Sequence, residues 1–167
     1  MSVAPSNPAG VRVEDLPEQV WPRQEIVDGS LHVTPLASAG HQDIVGRLYA
    51  ALLSAAPPGL RVLPGVNILR RSDTDRLLIP DVAVVEAAAL LGDPVNLAPD
   101  VVYLVAEVIS PSSRATDLFL KRELYAEWGV GSYWVLDPDA RAVHRCGTRP
   151  IEGSWLADVD LDVWPEV

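Results

Sequence analysis

Val101-Val102-Tyr103-Leu104-Val105-Ala106-Glu107-Val108-Ile109-Ser110-Pro111 is the stretch on which the fold turns. Its apolar residues barely alternate with polar ones. A strand with one wet face alternates with a period of two, whereas a strand covered on both faces reads as a continuous apolar run. This segment is therefore expected at the centre of a sheet, and Ser110-Pro111 ends it because proline brings no backbone donor to a ladder. Glu107 sits inside that run. A buried, uncompensated carboxylate costs several kcal/mol, so Glu107 demands a partner, either a metal ion or an arginine.

Downstream, Leu118, Leu124, Tyr125 and Trp128 fall on one face of a helix expected from about Asp117 to Trp128, which Gly129 and Gly131 terminate. Strands Tyr133–Leu136 and Ala142–Cys146 follow, separated by the turn Asp137-Pro138-Asp139. Upstream, residues 86–98 read as a loop or short helix. Strand-like segments at about 60–71 and 81–85, with the polar turn Ser72–Arg76 and Pro80 between them, fit a hairpin. From His41 to Ala55 the residues Ile44, Val45, Leu48, Leu52 and Leu53 recur at helical spacing until Pro57-Pro58-Gly59 stops the helix. Before it, Glu25-Ile26-Val27 and Leu31-His32-Val33 flank Asp28-Gly29, the dipeptide of a tight hairpin turn. Pro5, Pro8, Pro17 and Pro22 make residues 1–22 an irregular arm.

The 167 residues, 49% of them hydrophobic, suffice for one ordinary domain with a core. No apolar run approaches the roughly 18 residues of a membrane helix, and the N-terminus lacks the pattern of a secretory signal, so a cytoplasmic protein without membrane contact is expected. The lone Cys146 excludes an internal disulfide, and with no Cys/His cluster a structural zinc site is not indicated. The net charge of −10 argues against an extended nucleic-acid surface, because phosphate binding draws on clustered Lys and Arg. A small cleft with local positive charge and a metal ion escapes that objection. Twelve of the thirteen basic residues are arginine, and the only lysine is Lys121.

Asp81 follows Pro80 at the mouth of the apolar strand Val82–Val85. Together with Glu107 it forms a pair of acids at the ends of neighbouring strands. Two carboxylates, water and a substrate phosphate are what Mg²⁺ or Mn²⁺ takes, and such an ion polarises a phosphoryl oxygen and activates the attacking water. Lys121, one turn into the following helix, projects back to stabilise developing negative charge or orient the nucleophile. Glu25 and His41 are possible additions to the site. Structural alternatives stand beside each role: Asp81 as a backbone cap, Glu107 paired with an arginine, Glu25 as a solvated strand residue, and His41 as a satisfied helix-start histidine. For Lys121 the alternative is an exposed i,i+4 pair with Asp117, worth only about 0.3–0.5 kcal/mol, so that its removal leaves stability nearly unchanged. Repulsion between Asp81 and Glu107 in the metal-free protein is expected to raise the pKa of at least one of them.

A longer series of residues carries a resemblance. Glu25-Ile-Val-Asp-Gly-Ser-Leu, His41 opening a helix, Ile79-Pro80-Asp81-Val82-Ala83-Val84-Val85 and Val105-Ala-Glu107-Val-Ile-Ser110-Pro111-Ser-Ser lead into Asp117, Lys121-Arg122, Tyr125, Gly129-Val130 and Tyr133-Trp134-Val-Leu-Asp137-Pro138. From about Arg23 to Cys146 the chain resembles the Uma-two family of bacterial restriction-endonuclease-like proteins, within the PD-(D/E)XK nuclease superfamily. The resemblance implies a metal-dependent phosphodiesterase in which Asp81 and Glu107 bind Mg²⁺ and the carbonyl of Val108 completes the metal shell. The sequence departs from the superfamily's ExK pattern, since Ile109 stands two positions after Glu107. The resemblance implies that Lys121, from the helix, takes the lysine's place.

The expected architecture is α/β: an arm over 1–22, a restriction-endonuclease-like domain over 23–146 with a mixed, twisted sheet flanked by helices, and a short acidic tail over 147–167. The expected function is a metal-dependent endonuclease acting on nucleic acid, DNA in the first place, as a homodimer, because cutting both strands requires two sites. The alternatives are a catalytically inactive interaction or dimerisation module of the same fold, and a hydrolase of a small phosphorylated substrate.

Overall fold

In the computed structural model, residues 11–15, 23–27, 29–33, 37–72, 75–110, 116–147 and 154–165 are described. Two five-stranded mixed sheets organise them. Strands β1 (Gln24–Val27) and β2 (Ser30–Val33) form the first hairpin, turning through Gly29 at φ +75°, while Asp28 lies outside the described residues. Helix α1 (Ala39–Ala55) follows, its start capped by the Ser38 side chain, which accepts from the His41 amide.

The segment expected as one strand over 60–71 is two strands in different sheets. Strand β3 (Leu60–Pro64) and β4 (Asn67–Arg70) are separated by Gly65, whose φ of +58° belongs to a conformation that side chains with a Cβ resist. Strand β4 pairs antiparallel with β5 (Arg76–Leu78), and that hairpin is inserted between β3 and its own antiparallel partner β6 (Val82–Glu86). The stretch 86–98 holds a 3-10 turn, Ala87–Leu90, and the two-residue strand β7 (Asn96–Leu97), parallel to β4. Strand β8 (Val102–Val108) runs antiparallel to β6 and parallel to β9 (Ser132–Asp137), which pairs with β10 (Ala142–Gly147). Between β8 and β9 a π turn, Thr116–Leu120, leads into α2 (Lys121–Glu127), while Pro111, Ser112 and Ser113 lie outside the described residues.

One sheet was expected and two are present. The central one is ordered β10-β9-β8-β6-β3, the other β2-β1-β5-β4-β7. The central sheet is covered on both faces, which is why β8 reads as an unbroken apolar run. On one face Ile44, Leu48 and Leu52 of α1 pack with Val84, Leu104 and Trp134. On the other, Leu124 and Tyr125 of α2 and Ile68 and Leu78 of the second sheet meet Ala83, Val105 and Tyr133. Truncating a fully buried residue such as Leu104 to alanine costs about 2–5 kcal/mol. Within the segment expected as an acidic tail, Leu156, Val159 and Val163 join the α1 face of the core. Within the expected arm, Val11 and Val13 pack on Ile26, Leu69 and Leu77, and Arg12 pairs with the fully buried Asp75 at 3.1 Å. The rest of the arm, with Pro5, Pro8, Pro17 and Pro22, lies outside the described residues. Among the described residues no helix is long and apolar enough to cross a membrane.

Candidate active site

Strand parity decides which way the acids point. Side chains two apart share a face, so Glu107 looks the same way as Val105 and Ile109, and Asp81 the same way as Ala83 and Val85: toward α2 and the second sheet. The β6–β8 register, with Val82 opposite Ala106, brings Asp81 beside Glu107, and the Asp81 amide donates to Glu107 Oε2 at 3.3 Å. The π turn and α2 then present Lys121 to the same face. Its Nζ donates to Glu107 Oε1 at 2.8 Å and lies 3.1 Å from Glu25 Oε1 on β1. Ile109, at the position where the ExK pattern has lysine, is a buried core residue, 4% exposed. The ammonium group beside Glu107 comes from the helix instead.

All five side chains singled out in the sequence meet in one cluster. Glu25 also accepts from the Ile79 amide at 2.8 Å, which fixes the chain just before Asp81. His41, at the start of α1, places Nε2 3.3 Å from Asp81 Oδ2, and that oxygen accepts from the Val108 amide at 2.9 Å. Val108 thus enters the cluster through its N–H. The sequence reading missed Arg23, which donates through Nη1 to Asp81 Oδ1 at 3.0 Å and to the Ile79 carbonyl at 3.1 Å. It stands at the edge of the proline-rich arm, where no local pattern distinguishes it. Gly65 was missed as well: its amide donates to the Asp81 carbonyl at 3.2 Å, and a Cβ there would lie 3.5 Å from Arg23 Nη2. The Pro64-Gly65 dipeptide was the available signal.

Burial is the strongest influence on the Asp81 carboxyl and pushes its pKa up. The hydrogen bond and charge of His41, the Val108 amide and the Arg23 guanidinium together outweigh it and hold the group below its ordinary 3.8. For Asp81 the shift is therefore opposite in sign to simple acid–acid repulsion.

Glu25, Asp81, Glu107 and Lys121 are each less than a tenth exposed, whereas the side chains of Arg23 and His41 are 30% and 16% exposed. Two cavities, of about 630 and 400 Å³, lie elsewhere: one beside Arg70, Asn96 and Trp128, the other beside Arg122, Tyr133 and Cys146. None of the four buried cluster residues lines either.

Among the described residues no three His, Cys, Asp or Glu side chains are grouped to hold an ion by themselves. A Mg²⁺-type site does not require that, since the ion keeps several waters and takes one or two carboxylates. The adjacent carboxylates of Asp81 and Glu107 are the right hard oxygen donors. Their charge balance also fits: three buried acids face two permanent cations, Arg23 and Lys121, together with His41. The residues present therefore suit a divalent cation, provided that some of the present donors yield.

A search of the curated proteins finds no match to this sequence. Among solved structures the chain is similar to one described as a "putative nuclease belonging to DUF820" from Anabaena variabilis, with a TM-score of 0.68 and 20% identity over 82% of this chain and 78% of that one. At that identity the likeness speaks for the fold, an α/β fold of the restriction-endonuclease-like kind. The model of the Uma2 family, described as "Putative restriction endonuclease", matches residues 12–161, a span that includes Glu25, Asp81, Glu107 and Lys121 and every strand of both sheets. The chain belongs to the Uma2 family.

Proposed function

We propose that this protein is a divalent-cation-dependent nuclease that hydrolyses phosphodiester bonds in DNA. One observation carries the reading: Asp81 and Glu107 lie side by side on antiparallel strands, the Asp81 amide 3.3 Å from Glu107 Oε2, with Lys121 Nζ 2.8 Å from Glu107 on the same face. Membership of a family whose description reads "Putative restriction endonuclease" supports it.

Asp81 and Glu107 would hold Mg²⁺ or Mn²⁺, with the carbonyl of Val108 as a further oxygen donor. The bound ion supplies Lewis acidity toward the phosphodiester. Lys121 is a fixed cation beside the place where negative charge grows as a water oxygen bonds to phosphorus, the P–O ester bond breaks and the departing oxygen takes a proton. Glu25 holds that ammonium in place, and His41 and Arg23 orient Asp81, so all three are positioning residues in the metal-free arrangement. The cluster as it stands carries no excess of fixed positive charge, which is why a phosphodiester requires the added cation. Cutting both strands of a duplex takes two such sites, which makes a two-fold dimer the working unit.

The test is incubation of plasmid, single-stranded DNA and RNA with Mn²⁺, comparing wild type with Glu107→Ala. Cleavage of DNA by wild type alone is the expected result, and cleavage that persists in Glu107→Ala refutes the site. A second reading, a non-catalytic member of the fold, is favoured by the fact that Asp81 and Glu107 already have donors on both of their oxygens. It requires calorimetric titration of wild type with Mn²⁺ to give no Glu107-dependent binding.

A further inference from the structure

The cluster is almost closed, and what closes it on the outside is an arginine. Asp81 Oδ1 is taken by Arg23 Nη1, and Oδ2 by the Val108 amide and His41; Glu107 is taken by Lys121 and the Asp81 amide. A divalent cation that takes Asp81 competes with the donors already on it, and most directly with the like-charged guanidinium of Arg23, 3.0 Å from Oδ1. The two amides are backbone groups, Val108 at the end of β8 and Asp81 immediately before β6, where its carbonyl accepts from the Gly65 amide. Lys121 is buried and held by two acids. Arg23 is the most exposed member of the cluster, precedes β1 outside any regular element, and keeps a second acceptor, the Ile79 carbonyl, that tethers it near the site when Asp81 is lost.

We propose that Arg23 is a substrate-contacting residue with two positions: it rests on Asp81 in the metal-free protein, and once the cation takes that carboxylate its guanidinium is released to clamp the phosphodiester of the substrate. The inference rests on the nuclease reading of the same cluster. The chemistry suits both positions. A guanidinium keeps its charge throughout the working pH range, and its planar fork matches carboxylate and phosphate oxygens alike. The exchange also conserves charge pairing: the cation replaces Arg23 at Asp81, and the incoming phosphodiester supplies the anion that Arg23 gave up.

Competition and clamping push one substitution in opposite directions, which separates them from a merely structural role. In Arg23→Gln, which keeps a donor for the Ile79 carbonyl without the charge, calorimetric affinity for Mn²⁺ should rise about tenfold, in keeping with the loss of one charge-assisted hydrogen bond that competes with the ion. Binding of a cleavage-resistant phosphorothioate oligonucleotide in Mn²⁺, read by fluorescence anisotropy, should weaken about tenfold in the same variant. Arg23→Lys should lie between Gln and wild type in both measurements. Unchanged or weaker Mn²⁺ binding in Arg23→Gln overturns the competition, and unchanged oligonucleotide binding overturns the clamp. The nuclease reading fails separately: if wild type binds Mn²⁺ through Glu107 yet cleaves nothing, the tenfold tightening still decides the arginine's first position, and the anisotropy its second.

Discussion

At the scale of single residues, Lys121 shows how a local reading undervalues a buried charge. Its sequence neighbourhood suggests an exposed pair with Asp117 and a nearly neutral effect of removal. The structure instead buries it to 5% exposure between Glu107 and Glu25. Breaking a buried pair leaves the partner charge uncompensated, at a cost of about 3–5 kcal/mol. Lys121→Ala is therefore expected to unfold at a clearly lower temperature in EDTA, and to regain part of that loss in Mn²⁺, which supplies the missing positive charge; differential scanning calorimetry with and without the ion measures both. Under the nuclease reading its cleavage rate falls about 10²–10³-fold. An unchanged melting temperature in EDTA would return Lys121 to the surface. Asp81 makes the corresponding statement about pH. Its carboxyl is held below 3.8 in the folded protein, so ionised Asp81 contributes stability that is fully present above the unfolded value near 4 and is lost as pH falls through the lower, folded value. In EDTA the wild type should lose stability as acid is added below about pH 4. Asp81→Asn should be less stable at neutral pH and lose less over that window, as chemical denaturation at a series of pH values will show.

At the scale of elements, what was legible followed from periodicity, and what was not followed from pairing over long separations. The 3.6-residue recurrence of Ile44, Val45, Leu48 and Leu52 and the turn at Gly29 are local signals, and α1 and the β1–β2 hairpin stand where they put them. The run Leu60–Arg71 is rich in β-prone residues, and although Pro64-Gly65 marks a turn within it, nothing local says that β3 and β4 belong to different sheets. The separation is made by Gly65 at φ +58° and by partners far along the chain: Val82–Glu86 for β3, Arg76–Leu78 for β4. Arg23 was illegible for the same reason, since its acceptor Asp81 is 58 residues away. Asp81 and Glu107 were legible because charge inside or beside apolar runs is costly and calls for a partner, and Lys121 because it is the only lysine. Replacing Gly65 with alanine forces a Cβ into the left-handed region, at about 1–2 kcal/mol, while leaving ordinary contact distance to Arg23. Gly65→Ala should lower the melting temperature, and Gly65→Asn, which tolerates that region, should lower it less; equal values for glycine and alanine would mean the turn is not where the two sheets part.

At the scale of the whole molecule, the net charge of −10 constrains how the protein would meet DNA under the proposed function. Affinity for a phosphate backbone comes from counterions released by each phosphate that a basic side chain neutralises, and it falls with salt with a slope of about 0.9 per contact. Among the described residues four arginines are already paired with acids: Arg12 with Asp75, Arg23 with Asp81, Arg47 with Asp43 and Arg76 with Glu127. The 13 basic residues are outnumbered by 23 acidic ones, which repel a phosphate backbone. Under the proposed function binding is then concentrated at the site, with the divalent cation supplying the positive charge that an extended basic surface supplies elsewhere. The log–log dependence of oligonucleotide affinity on monovalent salt, measured at fixed Mn²⁺, should accordingly have a slope no steeper than about 3, far from the 5 to 9 of a surface making about 6–10 phosphate contacts. In EDTA the affinity should fall further still, because the remaining charge of the cluster attracts no phosphate. A steep slope that survives removal of the divalent ion would show that the protein holds nucleic acid through a basic surface away from Asp81 and Glu107, and the cation-centred account of binding would have to be given up.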